Sequence, residues 1–375
     1  MDLENPQKRT KEVSKTTSSE VQPCVGKPVT SWPEDGLEQL GKCPVCGSVD
    51  RQLLHEELTD RVFFSAPGEW NLWHCCGCTC AYLDPRPTEE TIHLAYQCYY
   101  THGKNSDSVI PTGSGYIKEA MMNDHLCTRL GVRRKPRLPL GRFLLYALSP
   151  AYMHAAGRYV RHLPAPSEKS VCLDVGCGDG SFFEIAKSCG WHADGLEPDP
   201  IAAQVAREKG MAVYMGRLPN TGFKGAIYDY ATMNHVVEHL HNPVLALQEI
   251  KRILKPGGSV WIATPNTDSA ASRRFGMNWR GLEPPRHLVL FNSASLTEML
   301  ALAGFKDVAA LPVGAGPYGI FSQSYQIAES RDPYRQSETK MPWQLCLAAL
   351  FAAWRSWADP ALAEELILTA RKPVN

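Results

Sequence analysis

A turn with three alternating glycines, Gly176, Gly178 and Gly180, follows the short apolar run Val171–Val175 and precedes a stretch typical of a helix. Glycine adopts positive φ angles easily, and it lets a ligand approach where a Cβ atom would collide with it. A strand, a glycine turn and a helix in this order form a common site for nucleotide-type ligands. Dinucleotide sites use a similar turn, so the turn alone predicts a class of ligand and not a reaction.

Two C-x-x-C pairs predict a metal site nearer the N-terminus. Cys43 and Cys46 form the first pair, and Cys75 and Cys78 form the second. Each pair turns tightly enough for both thiolates to face one ion, and this pattern suits tetrahedral zinc. Four thiolates leave no open position for water or substrate, so we expect the zinc to be structural.

The second pair has neighbours that offer alternatives. Cys76 could replace one of the ligands, His74 is a weaker candidate, and Cys80 has no partner at the C-x-x-C spacing. The competing interpretation is a group of buried free thiols, which does not account for two paired spacings.

Length and composition limit the classes of protein. The 375 residues suggest more than one domain, and the apolar fraction of 44% is sufficient for a core. A formal net charge of zero argues against a dedicated nucleic-acid-binding protein. No apolar run approaches the ~20 residues that cross a bilayer, and the polar first residues lack the apolar part of a secretory signal. We therefore expect a cytoplasmic protein with reduced thiols.

Apolar runs and helical patterns alternate regularly after residue 166. Predicted strands cover 170–175, 191–197, 211–215, 228–232, 259–264 and 305–312, and predicted helices cover 181–188, 198–209, 242–254 and 292–303. This alternation predicts an α/β fold with a doubly wound, Rossmann-like sheet. In such a sheet the ligand lies at the carboxyl ends of the strands, where the glycine turn also falls.

Four segments follow from the whole pattern. We expect a disordered tail at 1–35, a zinc ribbon with four cysteine ligands at 36–88, a helical linker or lid at 89–165, and the α/β domain at 166–375. An insertion at about 316–360, with an apolar helix at 343–357, precedes a last strand at 365–371 that we expect at the edge of the sheet.

Smaller features of the first three segments are also predicted. Short strands at 52–54 and 61–64 lie between the cysteine pairs, and Thr88 caps a helix that continues to Tyr96. Tyr96, Tyr99 and Tyr100 form an aromatic cluster that packs in the core or lid, or that lines a substrate pocket.

Two apolar segments allow a membrane interpretation beside the structural one. Basic residues at 129–142 precede a helical pattern at 143–163 that Pro150 interrupts. We expect this segment and the helix at 343–357 to pack against the α/β domain, and peripheral contact with a membrane surface is the alternative.

The motifs of the α/β segment resemble those of the class I S-adenosylmethionine-dependent methyltransferases. The resemblance rests on Glu197 and on four runs of residues, which follow one another in the same order as in that family. The runs are 173–180, 228–232, 236–240 and 254–258. The ribbon followed by 82–87, and the run at 287–291, resemble a ubiquinone-biosynthesis-like subset that acts on small molecules. The resemblance implies a seven-stranded sheet. A nicotinamide site fits less well, because the third glycine comes too early for G-x-G-x-x-G.

The resemblance also implies how S-adenosylmethionine is bound. Glu197 would accept hydrogen bonds from the ribose hydroxyls, and Asp174 would hold the ammonium group. The family's acidic residue for the adenine amino group is missing after the third strand, so only backbone and apolar contacts are expected there. The cofactor-binding residues implied are Asp174, Gly176, Gly178, Gly180, Glu197, Pro198, Asp199, Arg217, Leu218 and Asn234.

Three histidines are candidates for a catalytic base, because neutral imidazole accepts protons near neutral pH. His239 is the first candidate, followed by His287 and His235, and each could instead make a structural hydrogen bond. Glu238 beside His239 also allows a divalent-metal site, as in some quinone O-methyltransferases, although no second acidic ligand is evident.

Trp279, Arg280 and Arg286 lie where the resemblance places the acceptor pocket, and the two arginines would suit a carboxylate or phosphate group. Solvated surface arginines are the competing interpretation.

We therefore expect a methyltransferase that modifies an oxygen, nitrogen or carbon atom of a small-molecule acceptor. The alternatives are a methyltransferase acting on protein or RNA, and a non-catalytic cofactor-binding protein that docks a protein partner through the ribbon.

Overall fold

The computed structural model describes residues 30–96, 114–148, 150–314, 316–334 and 340–374. Most of the expected N-terminal tail, the tyrosines at 99 and 100, and part of the insertion lie outside the described residues. No helix of the described ranges is long and apolar enough to cross a membrane.

The N-terminal unit is built from short strands. They are β1 (Leu37–Glu38), β2 (Arg51–Leu58), β3 (Trp70–Cys75), β4 (Ala81–Leu83) and β5 (Arg86–Pro87). The strand predicted at 52–54 is part of β2, but the strand predicted at 61–64 is wrong. Residues 61–64 form a turn around Asp60, whose carboxylate accepts hydrogen bonds from the backbone N–H groups of Val62, Phe63, Ser65 and Ala66.

Three helices lead from this unit to the main sheet. They are α1 (Ser114–Leu130), α2 (Gly141–Leu148) and α3 (Pro150–Tyr159). The interruption predicted at Pro150 adjoins residue 149, which lies outside the described residues. The α-helix expected after Thr88 is instead a 3-10 helix, Ile92–Tyr96. The carbonyl of Thr88 accepts from the N–H groups of both Thr91 and Ile92, which gives this segment its tighter turn.

The α/β domain alternates strands and helices as predicted. Its elements are β6 (Val171–Val175), α4 (Ser181–Ser188), β7 (His192–Glu197), α5 (Pro200–Glu208), β8 (Ala212–Met215), β9 (Tyr228–Asn234), α6 (Pro243–Ile253), β10 (Leu254–Pro265), α7 (Ala270–Phe275), β11 (Val289–Leu290), α8 (Ser293–Leu302), β12 (Lys306–Ala310), α9 (Tyr318–Ala328), α10 (Trp343–Ala358) and β13 (Glu365–Arg371).

The main sheet has seven strands in the order β12-β13-β10-β9-β6-β7-β8. Strands β6 to β10 pair in parallel, and β13 runs antiparallel to both of its neighbours. Continuous apolar runs form the central strands because helices cover both faces of the sheet; in β10, for example, all residues from Val260 to Ala263 are buried. This architecture confirms the doubly wound fold.

The last strand is not at the edge of the sheet, as the sequence had suggested. β13 lies between β10 and β12, and it pairs with β10 from Ser259 to Pro265. Leu366, Ile367 and Leu368 are almost fully buried. Consecutive apolar side chains point to opposite faces of a strand, so this run needs cover on both faces, which an interior position provides.

A second sheet joins the two parts of the chain. Its strand order is β11-β4-β3-β2, and β11 comes from the α/β domain. Val289 and Leu290 pair with Tyr82 and Ala81. The expected boundary at residue 88 therefore separates the two parts in sequence, while in space they share a sheet.

Candidate functional site

The ends of β6, β7 and β9 lie at one edge of the main sheet, because these strands are parallel neighbours. The glycine turn follows β6, Glu197 ends β7, and Asn234 ends β9. This edge is where an open α/β sheet binds its ligand.

The glycine turn and Glu197 are directly joined. The N–H of Gly178 donates to Glu197 Oε2 at 2.8 Å, and the N–H of Asp199 donates to Glu197 Oε1 at 3.0 Å. Gly178 has a φ of +54°, and a Cβ placed on it would meet no atom within 4 Å. The turn therefore faces open space at Gly178, and the carboxylate beside it keeps lone pairs for further hydrogen bonds. Burial raises the pKa of Glu197, and the two N–H donors oppose this shift.

The other two glycines are required by packing. A Cβ on Gly176 would lie 2.8 Å from Val236 Cγ2, in the loop after β9. A Cβ on Gly180, which has a φ of +75°, would lie 2.9 Å from the Cβ of Ala206 on α5. We predicted Gly180 as a cofactor contact, but its position against α5 explains this glycine without a ligand.

Asp174 is buried and forms an ion pair that the sequence did not reveal. Its Oδ1 accepts hydrogen bonds from the guanidinium of Arg161 and, at 3.0 Å, from the hydroxyl of Thr232. The Arg161 guanidinium also stacks 3.8 Å from the ring centroid of Phe182. Burial raises the pKa of Asp174, and Arg161 opposes this shift. Oδ2 is buried and has no hydrogen-bond partner among the described residues.

The residues predicted around the adenine lie beside Glu197. Asp199 caps α5 by accepting from the N–H of Ile201 at 2.9 Å, and Pro198 is exposed. Arg217 and Leu218 follow β8, whose residue Met215 pairs with Glu197. Arg217 is exposed and Leu218 is buried.

His235 is held between two carboxylates. Its Nδ1 lies 3.1 Å from Glu238 Oε1, and its Nε2 lies 2.8 Å from Glu365 Oε1. Partial burial opposes a charge on this imidazole, whose side chain is 41% exposed, but hydrogen bonds to Glu238 and Glu365 outweigh it and raise the pKa of His235 to about 10. His235 is therefore a cation at neutral pH that donates through both nitrogens.

Arg158 completes this network from α3. Its guanidinium donates to both carboxylate oxygens of Glu365, at 2.6 and 2.8 Å, and to Asn234 Oδ1 at 2.7 Å. Burial opposes the negative charge of Glu365, but His235 and Arg158 lower its pKa to about 2. The sequence does not mark Arg158 or Glu365, because no local motif identifies residues that meet from distant parts of the chain.

His239 and His287 form a pair of neighbouring imidazoles with ring centroids 4.8 Å apart. Nδ1 of His239 lies 3.0 Å from the carbonyl oxygen of Arg286, and Nδ1 of His287 lies 2.8 Å from that of Gly281. A carbonyl only accepts, so Nδ1–H is the donor in both rings and each Nε2 keeps a lone pair. Burial lowers the pKa of His287 well below its ordinary value, so this ring is neutral.

Tyr96, the last described residue before the gap at 97–113, contacts the imidazole of His239. Its hydroxyl lies 3.0 Å from His239 Nδ1. Of the tyrosine cluster predicted from the sequence, Tyr96 thus lies at the candidate site.

Glu238 stands beside the two imidazoles. One ligand atom each from Glu238, His239 and His287 lies within 4.8 Å of the others. Glu238 is fully buried, and its Oε2 has no partner among the described residues. The metal interpretation thus gains His287 as a third candidate ligand, in place of the second acidic residue that the sequence lacked.

The two arginines expected to bind an acceptor anion have protein partners. Arg286 is fully buried and donates to Asp60 Oδ2 at 2.9 Å and to the carbonyl of Ala95 at 2.9 Å. Arg280 donates to Glu283 Oε2 at 2.6 Å. Both arginines thus form hydrogen bonds within the protein. Because Arg286 is fully buried and paired with Asp60, neither the anion-binding nor the solvated-surface interpretation describes it. Trp279 is buried.

The four predicted thiols lie together, with their sulfur atoms within 4.8 Å of one another. Cys43 and Cys78 are 3.6 Å apart, and Cys46 and Cys75 are 3.5 Å apart. Tetrahedral zinc with bonds of about 2.3 Å requires sulfur separations of about 3.8 Å, so this geometry fits the ion. Cys80, which the sequence left without a role, lies 3.4 Å from Cys43.

Comparison with known proteins gives one family and several partial relatives. Residues 150–310 match the family described as "Methyltransferase domain". An uncharacterized protein of Methanocaldococcus jannaschii is 27% identical over 153 residues, which are 40% of this chain and 69% of that protein. A probable S-adenosylmethionine-dependent methyltransferase of Mycolicibacterium smegmatis is 31% identical over 149 residues, which are 38% of this chain and 56% of that protein.

A ubiquinone biosynthesis O-methyltransferase of Haemophilus ducreyi is 32% identical over 105 residues, which are 25% of this chain and 44% of that protein. The chain thus spans about half the length of each of these two methyltransferase relatives.

Proposed function

We propose that this chain is a class I S-adenosylmethionine-dependent methyltransferase and that it methylates a hydroxyl group of a small-molecule acceptor. The observation that supports this proposal is the pair His239 and His287, whose Nε2 atoms keep lone pairs close to the ends of the parallel strands. Acceptors that react through nitrogen or carbon fit the same fold. We favour a hydroxyl because it must lose a proton as it attacks the methyl group, and an imidazole can accept that proton.

The residues at the glycine turn fit the cofactor. Glu197 would hold the ribose hydroxyls, the backbone at Gly176 and Gly178 would border the methionine part, and Asp174 Oδ2 would face the ammonium group. The adenine would lie against the segments that contain Pro198, Asp199, Arg217 and Leu218. The open space at Gly178 and the unpartnered oxygen of Asp174 support this assignment.

The protein's part in the reaction is alignment, exclusion of water and removal of one proton. The bound cofactor supplies the methyl group from its sulfonium. His239 is less buried than His287, so an acceptor reaches it more easily, and we assign the base to His239. His235 is already protonated and has no lone pair, so we assign it a positioning role together with Asn234 and Arg158.

The His239→Gln variant tests the base. We expect the rate of methyl transfer to fall about 100- to 1000-fold, as for loss of a general base, while cofactor affinity stays within about twofold. The exposed His93→Gln variant is the matched control and should keep full activity. An active His239→Gln enzyme would remove this residue from the reaction.

A divalent metal at Glu238, His239 and His287 is the second candidate, favoured by the free oxygen of Glu238. Metal analysis of the purified chain separates the two mechanisms. A second ion per chain that Glu238→Gln removes would support the metal and contradict the simple base.

The acceptor class is tested by incubating the purified protein with radiolabelled cofactor and a cell extract. We expect the label in the small-molecule fraction. Label in protein or RNA would contradict the proposal, and so would tight cofactor binding without any transfer, which would indicate a non-catalytic docking protein.

We further propose that the thiols of Cys43, Cys46, Cys75 and Cys78 bind one structural zinc ion. Cys43→Ser should reduce the zinc content from about one ion per chain to none and lower the melting temperature, because a structural zinc site stabilises the fold that forms it. Cys76→Ser should keep the ion, since Cys76 lies outside the sulfur cluster.

A zinc content unchanged in Cys43→Ser but lost in Cys80→Ser would place Cys80 in the coordination sphere instead. Thiolate ligands require a reducing environment, so we place the protein in the cytoplasm.

A further inference from the structure

The segment between His125 and Leu148 combines cations with apolar side chains and contains no acidic residue. Its basic residues are Arg129, Arg133, Arg134, Lys135, Arg137 and Arg142. The whole chain has a formal net charge of zero, so this segment is a local concentration of positive charge.

The apolar side chains that follow are half exposed or more. Leu140, Phe143, Leu144 and Tyr146 are exposed by 64%, 57%, 52% and 51%. The inner side of α2 faces α1, because a Cβ on Gly141 would lie only 3.0 Å from Met121 Cα. Phe143 and Tyr146 are three residues apart and therefore lie on one side of the helix. α2 thus presents aromatic and aliphatic groups on its outer side instead of polar ones.

Some of these cations are bound to Asp124, and others are exposed without a partner of opposite charge among the described residues. Buried Asp124 accepts from the guanidinium of Arg137 and from the backbone N–H of Arg142, which fixes the loop before α2. Arg133 and Lys135 are exposed, and within the described ranges neither forms an ion pair. Two uncompensated cations therefore lie a few residues before the exposed apolar groups.

We propose that this basic–apolar face, formed by Arg133, Lys135, Leu140, Phe143, Leu144 and Tyr146, binds the surface of an anionic lipid bilayer. The exposed cations complement anionic headgroups, each contributing on the order of a fivefold change in affinity. The apolar groups are of the kind that enter the boundary between headgroups and acyl chains. A nucleic acid would match the charge, but it would leave the four apolar side chains without a complementary surface.

Vesicle flotation tests the proposal with phosphatidylcholine vesicles prepared with and without phosphatidylglycerol. The intact protein should float with the anionic vesicles at least about tenfold more strongly than with the neutral ones. This binding should weaken at about 1 M salt, where the screening length falls to ~3 Å.

Two double variants separate charge from apolar contact. Arg133→Glu with Lys135→Glu, and Phe143→Ser with Leu144→Ser, should each weaken binding at least about tenfold. All four side chains are exposed, so the melting temperature should stay unchanged. Leu245→Ser, at a position that is 52% exposed on α6, is the matched control and should bind like the parent protein.

Absence of flotation with anionic vesicles would overturn the proposal, as would equal flotation of both double variants and the parent. Sedimentation of the parent as a dimer that Phe143→Ser with Leu144→Ser converts to a monomer, without any vesicle binding, would assign the face to self-association and would also overturn it.

Discussion

Replacement of Glu197 by alanine is expected to raise the dissociation constant for S-adenosylmethionine about 100-fold or more. A carboxylate that accepts from two ribose hydroxyls makes charge-assisted hydrogen bonds of about 1.5–3 kcal/mol each. Glu197 also accepts from the N–H of Gly178, so the variant loosens the glycine turn as well. Calorimetric titration with S-adenosylmethionine and S-adenosylhomocysteine measures the change.

Two further variants show whether the loss of cofactor affinity is caused by removal of the carboxylate of Glu197. Glu197→Gln keeps the size of the side chain and one acceptor oxygen, so its affinity should lie between those of the parent and the alanine variant. Asp179→Asn alters a carboxylate in the same turn that pairs with Lys209 at 2.8 Å, and it should change affinity less than about threefold. Unchanged affinity in Glu197→Ala would refute the ribose assignment.

Replacement of Asp60 by asparagine is expected to lower the free energy of unfolding by about 3–5 kcal/mol, because it leaves the buried charge of Arg286 without its counter-ion. Arg286 offers its carbonyl to His239 and its guanidinium to the carbonyl of Ala95, so the same change should also slow methyl transfer. Urea unfolding followed by circular dichroism gives the stability, and the labelled-cofactor assay gives the rate.

The pH dependence of the free energy of unfolding shows whether the ion pair of Asp60 and Arg286 stabilises the fold. Burial opposes the charge of Asp60, but Arg286 and the backbone N–H groups of the turn lower its pKa below the ordinary 3.8. A lowered carboxyl pKa contributes stability that is present above the ordinary value and is lost as the pH falls through the folded-state value. The parent should therefore lose more stability than Asp60→Asn on acidification below that point.

A surface pair provides the control for Asp60. Asp268 lies 3.4 Å from Arg273, and both side chains are about half exposed, so Asp268→Asn should change stability by less than about 1 kcal/mol. Equal stability of Asp60→Asn and the parent would show that the ion pair does not hold the two parts of the chain together.

The elements proposed to bind the cofactor were predictable because their signals are local. Apolar runs, the glycine turn and the acidic end of β7 lie within a few residues of one another, and the structure places them at one edge of the sheet. The four thiols were also predictable, since close spacing fixes each pair before the chain folds.

The electrostatic surroundings of the histidines were not predictable. His235 was a candidate base until Glu365, from the other end of the α/β domain, was found beside it. Arg286 was a candidate for binding an anion until Asp60 was found as its partner. A side chain's charge state and role depend on contacts between segments that are distant in sequence, and no periodicity records them.

The interior position of β13 has a consequence for the order in which the molecule is made. β12 pairs only with β13 in the described sheet, so residues 306–310 have no strand neighbour until residues 365–371 have been synthesised. The five parallel strands can pair earlier, while the chain is still growing. Glu365 begins β13, so one of the two carboxylates that hold His235 protonated arrives with the final strand. The residues proposed to bind the cofactor are therefore synthesised, with the strands that carry them, before the charge network is complete.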